Sequence, residues 1–146
     1  MYDKDIRKDE EMKRTLIEKA IEVLPNSHAP YSKYNVAAAA LMSSGKIYTG
    51  VNVENVAFSP GTCAERNAIF HAITEGENEL IAIAVVGGPG GDITKDYCMP
   101  CGVCRQTMRE FANKDKMLIV SAKSPSDYVE HTLEELLPES FGPEFL

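Results

Sequence analysis

Between positions 9 and 24, apolar residues recur at Met12, Leu16, Ile17, Ala20, Ile21 and Leu24. Steps of three and four put them on one stripe of an amphipathic helix. Pro25 and Asn26 then end it. After the turn-rich stretch 27–34, residues 36–42 are small and apolar, 43–46 (Ser-Ser-Gly-Lys) read as a tight turn, and 46–54 resume extended character, so a hairpin is expected. Residues 62–75 read as a helix closed by Gly76, 80–86 as a buried strand running into a turn cluster at 87–91, and 101–113 as a third helix. A buried strand at 117–122, an edge strand near 128–131 and a short helix at 133–137 complete the pattern. The closing FGPEFL has too few aromatic residues for a core of its own and is expected to dock on the rest of the chain.

A hairpin followed by strands alternating with helices predicts an α/β fold, with a mixed central sheet of about five strands between helices on both faces, a three-layer αβα sandwich. The 146 residues, 44% of them apolar, suit one domain spanning 1–146, with no internal repeat. No apolar stretch follows the charged opening MYDKDIRKDEEMKR, which predicts neither a secretory signal nor a membrane anchor, and hence a cytoplasmic protein. The net charge of −7, with its 15 basic residues scattered, argues against gripping a nucleic acid polymer. A small neutral substrate fits better.

Four cysteines without an export signal point to thiols serving a metal rather than to disulfides. Cys101 and Cys104 form a CxxC pair at a predicted helix start, where unpaired N–H groups stabilise thiolates. A thioredoxin-like redox pair shares that spacing, so the third thiol decides. Cys63 also stands at a helix start, and if the two helix ends converge, three thiolates hold one zinc ion and leave its fourth position for water. Glu65, two residues on, is placed to move that water's proton. Its competing role is as capping-box partner of Thr62. Cys98 leaves two further possibilities open, a closed four-cysteine zinc site and an iron–sulfur cluster. Pro100 places Cys98 in the loop before the helix, so it need not face the metal.

Cys63-Ala64-Glu65-Arg66 and Pro100-Cys101-Gly102-Val103-Cys104-Arg105-Gln106 resemble the two zinc motifs of the cytidine deaminase family, in its small homotetrameric branch with three cysteine ligands. Tyr31-Ser32-Lys33-Tyr34, Asn52-Val53-Glu54-Asn55 and Glu135-Leu136-Leu137-Pro138 fall in the family's order, so the resemblance spans roughly residues 10–141. It implies one Zn²⁺ per chain on Cys63, Cys101 and Cys104, with Glu65 as the proton shuttle of a hydroxide attack on C4 of cytosine. It further implies that Asn52 and Glu54 grip the ribose hydroxyls, that Ala64 belongs to the substrate-binding set, and that Tyr34, where the family commonly has phenylalanine, packs on the pyrimidine. Phe58, where many members carry a tyrosine, and Phe141 are implied contacts to a neighbouring subunit's site. Arg66 is expected to donate to a ligand sulfur, because three thiolates on Zn²⁺ leave a net −1 that weakens the ion as a Lewis acid. Arg105 and Gln106 are expected to pack or support rather than react.

The implied reaction is hydrolysis of cytidine and 2′-deoxycytidine to uridine and 2′-deoxyuridine with release of ammonia, within pyrimidine salvage. A blasticidin-type antibiotic deaminase carries similar zinc motifs, although the Asn52-x-Glu54 pair speaks for a ribose. A polynucleotide-editing deaminase is disfavoured by the −7 charge. A structural zinc module closed by all four cysteines would reduce Glu65 to a cap. His28, His71 and His131 are isolated and offer no ligand spacing, and the run 87–91 lacks the Lys-Ser/Thr of a phosphate loop.

Overall fold

The carboxylate of Asp9 accepts a hydrogen bond from the Met12 N–H at 3.1 Å, and helix α1 (Glu10–Val23) begins there. This computed structural model describes residues 1–146. A single 3₁₀ turn around Pro25 ends α1. Strands β1 (Tyr34–Met42) and β2 (Ile47–Val51) form the expected hairpin, with Ala37 opposite Val51 and Leu41 opposite Ile47. Helix α2 (Ala64–Thr74), strand β3 (Leu80–Pro89), helix α3 (Gly102–Phe111), strands β4 (Leu118–Ser124) and β5 (Asp127–Thr132) and helix α4 (Leu133–Leu136) follow.

The five strands form one sheet in the order β2-β1-β3-β4-β5, and only the β3–β4 pair is parallel. That is the pair joined through α3, as a parallel connection requires. The period of two along β1 divides the core. Ala38, Ala40 and Met42 face α2 and α3, whereas Ala37, Ala39 and Leu41 face α1. The expected three-layer α/β sandwich is therefore present. Alanine favours strands poorly, yet Ala37 through Ala40 are fully buried at the sheet's centre. Their small side chains let helices press on both faces, and Leu16 and Ile17 of α1 are fully buried there, each contributing about 2 kcal/mol.

Gly87 and Gly88 do not open a turn as the glycine cluster predicts. They extend β3 opposite Val36 and Asn35. Glycine is needed at 88 because a Cβ there would lie 1.9 Å from the Asp92 carbonyl oxygen, where the outgoing loop folds back over the strand. The closing segment docks on α3 as expected: Gln106 Nε2 donates to the Phe141 carbonyl at 2.9 Å, and the buried Arg109 holds Ser140 and Glu144. No helix is long and apolar enough to cross a membrane.

Candidate metal centre and substrate cleft

Cys63 is the N-cap of α2 and Cys101 the N-cap of α3, with neither cap closed by a side-chain hydrogen bond. The two helix starts converge. Cys63, Cys101 and Cys104 bring their sulfurs within 4.8 Å of one another, and the Cys63 and Cys101 sulfurs are 3.8 Å apart. A tetrahedral zinc with bonds of about 2.3 Å sets its ligand sulfurs about 3.8 Å apart, so the donor set fits the ion in chemistry and in size. A disulfide needs sulfurs about 2.05 Å apart. All four cysteines are free thiols.

Cys98 is buried outside this cluster, its sulfur close to Gly87. Burial and the nearby Glu65 carboxylate push its thiol up to about 11, which disfavours the thiolate a ligand must be. The four-cysteine and iron–sulfur readings lose their fourth donor.

The cluster is charged in a defined way. A hydrogen bond from Cys104, then Arg66 and Cys101, hold the Cys63 thiol down at about 5 despite its half-burial. Cys104, the donor to Cys63 and itself buried, is shifted in the opposite direction. Arg66 Nη2 donates to the Cys63 sulfur at 3.5 Å. Glu65 keeps only 4% of its surface exposed, and burial, followed by the neighbouring Cys63 thiolate, raises its carboxyl to about 7. It is not a capping partner of Thr62: the helix starts one residue later, and the Thr62 hydroxyl donates to the Pro60 carbonyl instead. The T-x-x-E signature is realised elsewhere, in the reciprocal capping box of Thr132 and Glu135 at α4.

A cavity of about 520 Å³ opens beside the thiols, and its walls include Tyr31, Asn52, Glu54, Phe58, Cys63 and Arg66. Glu54 accepts from the Tyr31 and Ser32 N–H groups, both at 3.0 Å, and from the Ser32 hydroxyl, and these bonds hold its carboxyl below the usual range. Asn52 is bonded on three sides: its oxygen accepts from Ser27 and from the Val36 N–H at 3.0 Å, and its amide donates to the Tyr34 carbonyl at 2.8 Å. One amide hydrogen remains for a ligand. The bracing by Ser27 and Ser32 was missed in the sequence, where nothing beyond the Tyr31–Tyr34 motif marked either serine.

The other candidate residues fall differently. Ala64 is fully buried as the first residue of α2, so its contribution to the cleft can only be its backbone, whose N–H lies in the unpaired first turn. Tyr34 is not among the cavity walls, and its hydroxyl lies next to Cys98. Phe58 stands 76% exposed at the rim, edge-on to Tyr31 at 6.1 Å. Phe141 lies in the closing segment on α3, stacked on Phe145 with ring centroids 5.3 Å apart, and does not line the cavity.

Residues 10–121 match the family described as cytidine and deoxycytidylate deaminase zinc-binding region. A cytidine deaminase of Halalkalibacterium halodurans is 39% identical over 132 residues, covering 90% of this chain and 96% of that protein. The crystal structure of cytidine deaminase from Burkholderia pseudomallei superposes with a TM-score of 0.77 at 37% identity, covering 87% of this chain and 97% of that one. Cytidine deaminase from Mycobacterium tuberculosis gives a TM-score of 0.73 at 34% identity, covering 88% of this chain and 95% of that one. With the thiol triad and the buried carboxylate, these likenesses make the chain a member of the zinc-binding cytidine and deoxycytidylate deaminase family.

Proposed function

We propose that the protein hydrolyses cytidine and 2′-deoxycytidine to uridine and 2′-deoxyuridine, releasing ammonia. The observation that carries this is a carboxylic acid, Glu65, buried next to Cys63, the one of three convergent thiols that lines an open cavity. Cys63, Cys101 and Cys104 are the ligands that would hold Zn²⁺, which when bound supplies Lewis-acid activation of water. Glu65 takes the proton of the attacking water and returns it to the substrate, ending on the departing amino nitrogen of C4. A site whose carboxyl titrates near neutrality can do both.

Glu54 is assigned to the ribose hydroxyls, and Asn52 adds its one spare amide hydrogen while bracing the wall. The Ala64 N–H is offered to the base, and Tyr34 reaches the pyrimidine only from the cavity's edge. The exposed Phe58 and Phe141 support a homo-oligomer, a tetramer, in which a neighbouring copy completes the cleft. Pyrimidine salvage in the cytoplasm is the setting such a reaction implies.

The deciding experiment is an ultraviolet assay with cytidine, before and after chelation. Absorbance loss that stops on chelation and returns with zinc supports the assignment, and turnover of blasticidin without turnover of cytidine overturns it.

A further inference from the structure

Of the three thiols, Cys101 has the least support from its own element. Cys104 is buried within α3, and the Cys63 sulfur is held by Arg66. Cys101 is exposed and extended (φ −69°, ψ 169°), and its one tie to the helix is its carbonyl, which accepts from the Arg105 N–H at 3.0 Å. Its position depends on Pro100, the preceding residue. Pro100 is buried and, lacking an N–H, can take a backbone hydrogen bond only through its carbonyl.

Arg105 supplies that anchor. Its Nε donates to the Pro100 carbonyl at 2.7 Å, and its Nη1 donates to the Leu136 carbonyl, also at 2.7 Å. Leu136 is itself fixed, because α4 is locked by the Thr132–Glu135 capping box, by the fully buried Leu133 and by the Glu134–Lys114 ion pair at 3.1 Å. A guanidinium fork can hold two carbonyls from separate elements, a task the single ammonium of lysine performs poorly. This contact also gives a physical role to two sequence features that the proposed chemistry leaves idle, the arginine after Cys104 and the Glu135–Pro138 motif.

We propose that Arg105 is a positioning residue of the metal centre, clasping the Pro100–Cys101 loop to the end of α4 so that the Cys101 sulfur is presented to the ion. The proposal rests on Cys63, Cys101 and Cys104 being the zinc ligands. Arg109, one turn along the same helix, offers the control. It is equally engaged with the closing segment, through Ser140 and Glu144, but touches nothing near Cys101.

The test compares parent, Arg105→Gln, Arg105→Lys and Arg109→Gln proteins by zinc competition against a chromophoric chelator, by the visible spectrum of the Co²⁺-loaded form and by melting of the metal-free form. Arg105→Gln is expected to bind zinc roughly 10- to 100-fold more weakly and to alter the thiolate-to-cobalt band. Arg109→Gln is expected to lower the melting temperature with zinc affinity within about twofold of the parent. Arg105→Lys, retaining one donor, should fall between, and it is the variant to read if Arg105→Gln does not fold. Parent-like zinc binding in the Arg105 variants, or an equal loss in Arg109→Gln, overturns the proposal. A parent protein without any thiolate-to-cobalt band overturns the ligand assignment itself.

Discussion

The Arg66 guanidinium sits one helical turn beyond Cys63 and donates to its sulfur at 3.5 Å. This places a fixed positive charge against a triad that would carry three negative ones. The sign of its effect follows from the Cys63 thiol, held at about 5 first by Cys104 and then by Arg66. Without the guanidinium that value rises, and protons compete better for the sulfur. Arg66→Gln should therefore release zinc at a higher pH on acid titration and turn over roughly 10- to 100-fold more slowly at pH 8. Unchanged release and unchanged turnover would remove Arg66 from the site.

Glu65 is tested by a variant that keeps its shape. Glu65→Gln should retain zinc while deamination falls by a factor on the order of 10² to 10⁴. Retained activity would remove Glu65 as the proton shuttle.

The same substitution has a second signature in metal-free protein. The carboxyl rises from 4.5 to about 7 on folding, so between those pH values the folded state binds more protons than the unfolded one, and stability falls as pH rises. Glutamine abolishes the cost, which is about 2–4 kcal/mol once the carboxyl is ionised. Glu65→Gln should thus melt with the parent near pH 4 and increasingly above it up to pH 7, with a constant gap beyond. A gap that does not widen with pH contradicts the buried carboxylate.

Asn52 and Glu54 face the same cavity but should fail differently. Asn52→Ala strands three hydrogen-bond partners, at about 1 kcal/mol each, and should destabilise the protein by about 3 kcal/mol in a denaturant titration. Glu54→Gln keeps an acceptor for the Tyr31–Ser32 backbone but loses the charge, and should raise KM for cytidine by roughly tenfold with kcat little changed. A kcat effect without a KM effect would take Glu54 off the ribose.

Much of this was legible because the strongest signals were periodic or spaced. The α1 stripe, the hairpin turn and the two cysteine-bearing helix starts all appear within a residue or two of their expected places, while the second hairpin strand ends at Val51, three residues early. What escaped was set by contacts between distant segments. Gly87 and Gly88 read as a turn because glycine weakens a strand locally, but pairing with Val36 and Asn35 overrides that preference. Thr62 and Glu65 carry a capping signature that the fold does not use, because the Glu65 side chain is buried beside the Cys63 thiolate. Spacing could not separate that use from a cap, since both put a glutamate in the first turn of a helix.

Gly50 shows how far such a distant contact reaches. A Cβ built on it would lie 2.4 Å from the Ala68 nitrogen, 2.7 Å from the Ala64 carbonyl oxygen and 2.9 Å from the Asn67 carbonyl carbon. All three are backbone atoms of α2, so no rotamer change relieves the clash. The helix cannot simply lift away either, because Asn67 Nδ2 is bonded to the Val51 carbonyl at 2.7 Å. Gly50→Ala should destabilise the protein by about 3 kcal/mol, at the upper end for overpacking. Since α2 carries Cys63, Glu65 and Arg66, the displacement should also weaken zinc binding in whatever fraction still folds. Gly102→Ala is the contrast, for its Cβ meets nothing within 4 Å. It should leave stability unchanged or gain a few tenths of a kcal/mol from the helix preference of alanine. Equal melting temperatures for Gly50→Ala and the parent would mean that α2 is free to slide on β2, and that Gly50 does not fix the helix that carries Cys63.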